Sequence, residues 1–255
     1  MATALAGGRQ RRAPLAGVDG RWLIETQWLP DESGGLCHIL DRETLEPRFQ
    51  HSAPGVNKLV FAFADVLLGG KTSVTDFAAP LLQINRRTGE TVSIQDASLF
   101  IYDLLYSEAD AAVYSLAVQR RDDRLYTILK VHTGYNFERS RSLYEFRGED
   151  LGATVVADSS GRVYSSLGFD TVRVWSGGRA QAFQASGGLP RRLYVHGARL
   201  YSLNRDCSVS VWDLEKKIWL MDITLLEDGG WVAVPADGRA GGSEGTERLF
   251  SRSRP

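Results

Sequence analysis

Hydrophobic positions in this chain come in short β-branched, aliphatic and aromatic runs, each broken within a few residues by Gly, Asp, Asn or Ser. Val113-Tyr114-Ser115-Leu116-Ala117-Val118 and Leu125-Tyr126-Thr127-Ile128-Leu129 have strand composition, and Asp122-Asp123 between them suits a hairpin turn. Val163-Tyr164-Ser165-Ser166 and Val172-Arg173-Val174-Trp175 form a similar pair around Gly168-Phe169-Asp170. A third pair joins Arg199-Leu200-Tyr201-Ser202-Leu203 to Val209-Ser210-Val211-Trp212 around Asn204-Arg205-Asp206. Residues 97–118 and 213–226 contain no Gly or Pro, and Ala97, Phe100, Leu104 and Leu105 would also fit one helical stripe. The strand pairs on either side favour strands there too.

The pattern repeats. An apolar strand, a small polar turn and a second strand ending in a bulky residue are followed by another polar turn. The bulky anchors are Leu40 before Asp41, Ile84 before Asn85, Phe146 before Arg147-Gly148, Trp175 before Ser176-Gly177-Gly178, and Trp212 before Asp213. Their spacings are 44, 62, 29 and 37 residues, with a mean of 43. That mean matches the roughly 40–45 residues of a four-stranded propeller blade. The 62-residue gap implies an extra hairpin or long loop near residues 119–142. One four-stranded meander leaves an apolar face uncovered, and several packed face to face cover one another.

The ends read differently. Residues 1–18 are small, Gly-containing and basic, and residues 237–255 are rich in Gly, Ser and Arg, so both read as mobile tails around a repeat domain at 19–236. The 218 residues between the tails correspond to about five repeats. A seven-bladed ring would need about 280. The expectation is an all-β chain: a β-propeller of about five four-stranded blades, either open or part of a larger ring.

Val209-Ser210-Val211-Trp212-Asp213 resembles the WD-repeat family of β-propellers. Asp206, six residues before Trp212, falls where that family places its turn aspartate, and Asp170 before Trp175 is similar. The resemblance implies that these aspartates cap tight turns. It also implies that Trp175 and Trp212 join a strand serine, Ser165 or Ser166 and Ser202, in a buried polar network. The Gly-His pair usual ahead of each blade is absent, and only Gln50-His51 is similar to half of it. Residues 228–245, D-G-G-W-V-A-V-P-A-D-G-R-A-G-G-S-E-G, are similar to the segment closing the repeats in many bacterial WD-repeat proteins. In series, these likenesses imply a degenerate propeller of bacterial type.

Charge and composition narrow the partners. Thirty basic residues against 31 acidic give a net charge of −1, which argues against nucleic acid or an anionic membrane as the main partner. No apolar run approaches the roughly 18–20 residues of a membrane helix, and the N-terminus lacks a long secretory h-region, so a cytoplasmic protein is expected. Cys37 and Cys207 are too few for a disulfide scaffold or a four-cysteine metal site. Only five basic residues are lysines, namely Lys58, Lys71, Lys130, Lys216 and Lys217.

Motifs with catalytic associations fail on context. Gly241-Gly242-Ser243-Glu244-Gly245 fits G-x-S-x-G, but no His follows it. Gly70-Lys71-Thr72 ends like a phosphate loop, yet the required earlier Gly is Asp65. His196-Gly197 with Cys207 lacks the local signature of a cysteine protease. His38, His51, His132 and His196 have no paired ligand spacing, and most carboxylates fall in turns. The expected assignment contains no catalytic, cofactor-binding or metal-binding residue and no cofactor. The function expected is a non-catalytic scaffold for an unidentified protein partner, with Trp22, Trp28, Trp175, Trp212, Trp219 and Trp231 divided between core and contact surface. An alternative is a quinoprotein-like or other small-molecule-binding propeller, suggested by Thr88-Gly89-Glu90 after Asn85; a propeller hydrolase ranks below it.

Overall fold

The computed structural model describes residues 15–16, 22–28, 35–52, 55–63, 65–71, 81–94, 98–148, 153–168, 172–176, 179–183, 190–227 and 229–244. All regular structure among them is antiparallel β. Two compact units divide the chain, Met1–Glu149 and Asp150–Pro255.

The first unit holds three four-stranded sheets, each a meander in sequence order. They comprise β1 (Leu15–Ala16), β2 (Trp22–Trp28), β3 (Gly35–Asp41) and β4 (Pro47–Ser52), then β5 (Val56–Phe61), β6 (Val66–Lys71), β7 (Leu81–Asn85) and β8 (Thr91–Ile94). The third sheet is β9 (Phe100–Ser107), β10 (Ala112–Arg121), β11 (Arg124–Thr133) and β12 (Arg139–Arg147). In the second unit, one sheet is β13 (Val155–Ala157), β14 (Val163–Ser165), β15 (Arg173–Ser176) and β16 (Arg179–Ala182). The other has six strands: β17 (Pro190–His196), β18 (Arg199–Asn204), β19 (Ser208–Asp213), β20 (Ile218–Leu225), β21 (Trp231–Pro235) and β22 (Gly241–Gly242).

Residues 98–118 hold the strand β9 and most of β10, without a helical stripe, and Ala97 lies outside the described residues. Period-2 alternation decides it, because Ile101 and Asp103 are buried on one face of β9 while Phe100 and Tyr102 are only partly so. The second sheet is covered on both faces. On β6, Leu67 packs with Ile24, Ile39 and Ile84 toward the first sheet, and its neighbour Leu68 packs with Ile101 and Leu104 toward the third. A Cβ added at Gly70 would lie 2.9 Å from the Ile101 side chain, so glycine permits that close approach. Lys58 Nζ meets Asp103 at 2.7 Å, and Lys130, 4% exposed, donates to Ser98 Oγ at 2.9 Å, so two of the five lysines are internal ties. In the second unit, Trp212, Leu200 and Leu193 of the fifth sheet pack against Tyr164 and Val174 of the fourth.

Register reveals the true repeat. Leu40 pairs with Leu23, Ile84 with Leu67, Trp175 with Val163 and Trp212 with Leu200, each anchor ending a third strand against the start of a second. In the third sheet that place belongs to His132, paired with Val113, whereas Phe146 lies on the fourth strand, β12. The anchor expected at Phe146 is therefore corrected to His132, and the spacings become 44, 48, 43 and 37 residues. No extra hairpin occupies 119–142. The wide gap came from an anchor placed one strand late, and the ten-residue strands β10 and β11 are joined directly through Asp122 and Asp123, whose φ of 48° and 59° suit a two-residue hairpin turn. His132 shares a 2.8 Å hydrogen bond with Ser115 Oγ, and Trp175 Nε1 donates to Ser165 Oγ at 3.1 Å from the same register position. A histidine thus replaces tryptophan in one unit.

The turn after three of the anchors, Leu40, Ile84 and Trp212, is also shared. Asp41 Oδ1 accepts from the amides of Glu43 and Thr44, Asn85 Oδ1 from Arg87 and Thr88, and Asp213 Oδ1 from Glu215 and Lys216. Four residues after the capping position the backbone turns left-handed, at Leu45 (φ 58°), Gly89 (φ 77°) and Lys217 (φ 58°). Phe137 (φ 57°) stands at the same offset from Thr133. Thr88-Gly89-Glu90 is one copy of this turn. Asp206 caps the β18–β19 turn as expected, accepting from Ser208 N at 3.0 Å and Ser208 Oγ at 2.7 Å. Ser202 joins a buried network through Asn204 to Ser208 and Ser210. Asp170 lies outside the described residues.

The sheet pattern exceeds the expected four strands at one place. Residues 231–242 add the hairpin β21–β22 to the outer side of β20, making six. Pairing therefore extends past residue 236, and at the other end β1 lies inside the expected tail 1–18.

Three stability outcomes follow, each read by chemical denaturation. Gly89→Ala is expected to lose about 1–3 kcal/mol, because φ is positive and the new Cβ would stand 2.5 Å from His51 Nδ1. Leu45→Gly, at an exposed site with the same left-handed backbone, is expected to gain up to about 1 kcal/mol. Trp212→Ala is expected to cost about 3–5 kcal/mol, since Trp212 is 1% exposed; a loss below 1 kcal/mol would remove it from the core.

Candidate functional site

The residues of the catalytic-looking motifs hold structure. Gly70-Lys71 ends β6 within a packed sheet, while Thr72 lies outside the described residues. Ser243 Oγ accepts a hydrogen bond from Trp231 N at 3.0 Å, and Ser243 N donates to Trp231 O at 3.0 Å, which fastens the end of the last hairpin. His196 ends β17 beside Arg199, and Cys207 sits in the turn beyond the far end of β18. That strand separates them by roughly 17–20 Å, too far for a Cys–His dyad. Burial pushes the Cys37 thiol up to about 12, leaving an unreactive neutral group. His51 Nε2 meets Arg86 O at 2.5 Å, tying β4 to the β7–β8 turn. Among the described residues, no three His, Cys, Asp or Glu side chains come close enough to hold a metal ion.

The tryptophans divide by exposure. Trp175 and Trp212 are core, and Trp22 and Trp219 are half-buried against it. Trp22 also stacks under the Arg86 guanidinium at 5.0 Å. Trp231 is 43% exposed, which leaves it available for contact. The Trp28 side chain lies outside the described residues.

A cleft of about 480 Å³ opens in the second unit, within the range of ligand-binding pockets. Its floor is apolar and rigid: Val174 on β15, Phe183 after β16, and Leu214 in the β19–β20 turn, with the Tyr164 ring on β14 edge-on to Phe183 at 6.0 Å. All four are buried. Leu214 is held there because its amide donates to Ala198 O at 3.0 Å while Asp213 caps the same turn. The rim is polar and cationic. Arg162, Arg179 and Lys217 stand around it, and Lys217 Nζ donates to Gln181 Oε1 at 2.7 Å, joining the turn to the outer strand β16.

Asp158 organises the inner wall. Its carboxylate accepts from Ser160 N and Arg162 N, from Arg162 Nε at 2.7 Å and from the Tyr164 hydroxyl at 2.9 Å. Burial pushes the Asp158 carboxyl up, but hydrogen bonds from Ser160, Tyr164 and Arg162 outweigh it and hold the group below the usual carboxylate range. Burial and the neighbouring carboxylate raise the Tyr164 phenol, so it remains a neutral donor. Arg162 is thereby engaged, with Glu215 adding a second negative charge near it. Arg179 and Lys217 make no ion pair among the described residues.

The sequence did not single out Asp158, Arg179 or Lys217. The run Asp158-Ser159-Ser160-Gly161-Arg162 carries a turn signal, but nothing in the sequence brings Arg179 beside Lys217.

A depressed Asp158 contributes stability that is present above the unfolded value near pH 4 and lost as pH falls through the lower folded value. The melting temperature is therefore expected to fall below about pH 4, and Asp158→Asn is expected to shrink that fall while costing about 1–3 kcal/mol at pH 7. Melting curves for both proteins between pH 7 and pH 2 check this; parallel profiles would show that Asp158 is not a linked group.

No known family profile matches the chain, and no curated protein sequence matches it. Solved structures do. A chain of a mitotic checkpoint complex is similar at 14% identity and a TM-score of 0.61, covering 92% of this chain and 77% of that one. Hydrazine synthase of Kuenenia stuttgartiensis is similar at 11% identity and 0.58, covering 91% and 83%. Hsv2 of Kluyveromyces lactis is similar at 12% identity and 0.52, covering 90% and 72%. The first and last are WD40 propellers. At these identities the likeness is one of fold alone, and the fold it gives this all-β chain is the β-propeller.

Proposed function

We propose that this chain is a non-catalytic, WD-repeat-like scaffold of bacterial type that binds a protein partner in the cytoplasm. The observation that carries the reading is where the chemically capable residues sit. Ser243 holds a strand end, His51 holds a turn, and Gly70 supports a close sheet contact. The Thr-Gly-Glu sequence that suggests a quinoprotein is the turn capped by Asn85. A propeller from a multiprotein complex is among the similar structures, which suits the same reading. The free, buried Cys37 and the free Cys207 fit a reducing compartment. Rigid sheets with hydrogen-bonded turns limit the ordering cost of binding.

Affinity capture followed by reconstitution from purified components tests this. At least one protein is expected to bind the purified chain reproducibly, while a thermal-shift screen of small molecules, quinone cofactors included, is expected to give no specific stabilisation. Failure to reconstitute any protein complex, or a rise of several degrees with one cofactor, would overturn the proposal.

A further inference from the structure

We infer that the cleft between β16 and the β19–β20 turn receives a short acidic segment of a protein partner, with one apolar side chain seated on its floor; this inference rests on the scaffold reading above. Two features of the cleft set its ligand. The floor of Val174, Phe183 and Leu214 is apolar and buried beneath a volume of about 480 Å³, space for a large aliphatic or aromatic side chain and its flanking backbone. Among the described residues the lining contains three cations and no carboxylate. Arg162 is engaged by Asp158 and influenced by Glu215, so the charge available to a ligand is that of Arg179 and Lys217. These two come from different elements, the outer strand and the turn, and the Lys217–Gln181 hydrogen bond ties the turn to the strand that carries Arg179. Acidic residues on both sides of an apolar anchor complement that arrangement, and the anchor would gain from burial on a preformed surface.

The backbone contributes as well. β16 is an outer strand, paired on one side with β15, and all four of its residues are exposed. An extended peptide alongside it would place alternate side chains toward the cleft. The backbone at Lys217 is left-handed and ends the turn.

Selection of random peptides displayed on phage against the whole chain tests this, followed by fluorescence anisotropy of the enriched peptides. Enrichment of Asp and Glu around a single Leu, Ile, Phe or Trp is expected, with affinity falling as salt rises from 0.05 to 0.5 M. Arg179→Glu/Lys217→Glu is expected to weaken binding by about tenfold or more, while Arg179→Lys/Lys217→Arg keeps most of it. Both sites are exposed, and an unchanged melting temperature for each variant would confirm that the fold is intact. Enriched peptides without acidic bias, an empty selection, or equal binding by the charge-reversed variant would overturn the inference. A reconstituted protein complex that survives the charge reversal would overturn the cleft assignment and leave the scaffold reading standing. Failure of the unmodified chain to reconstitute any complex would instead remove the scaffold reading.

Discussion

A four-stranded antiparallel sheet with apolar residues on both faces must be covered twice, and the alternation of Leu67 and Leu68 on β6 shows how this chain meets that demand. One leucine enters the core shared with the first sheet and the other enters the core shared with the third. Because successive strand residues point to opposite faces, a one-residue slip of β6 would exchange the two cores. Its register is set by pairing with β5 and β7, and the approach of Gly70 to Ile101 leaves no room for a side chain. The other features depend on sheets held in that way: the anchors, the capped turns, and in the second unit the buried floor of the cleft.

Strand pairs and their turns were legible because period-2 hydrophobicity and Asp, Asn or Gly breaks are local signals. Asp122-Asp123 and Asp206 could be placed from the sequence because a hairpin turn depends on a few neighbouring residues. The anchor series was legible except in the third sheet. A search for bulky apolar residues before a turn passes over His132, whose position is defined by pairing with Val113, nineteen residues earlier. Phe146 met the local criterion but lies one strand later. The last strand of the fifth sheet, β22, was also hidden, since the Gly-rich composition of residues 237–244 signals looseness whether or not its backbone pairs.

The cleft was the least legible feature. Its floor comes from β14, β15 and a turn after β19, and its two available cations come from positions 179 and 217. Each cation belongs to an unremarkable exposed segment when read along the chain. Their meaning comes from the packing of the fourth and fifth sheets, which no local pattern encodes. Tyr164 lines the cleft and also donates to Asp158, so one residue is both structural tie and cleft wall.

The outer hairpin of the fifth sheet has a further consequence. A sheet edge exposes unpaired amide and carbonyl groups, and a long flat one invites other chains to add strands and aggregate. Here the fifth sheet ends in Gly241–Gly242, just as the first begins with Leu15–Ala16. Two residues offer too short a ladder to template an intruding strand, and glycine supplies no side chain to hold one in register. The hairpin thus covers β20 over Met221–Leu225 and leaves a two-residue strand outermost, a poor nucleus for self-association by backbone length instead of charge.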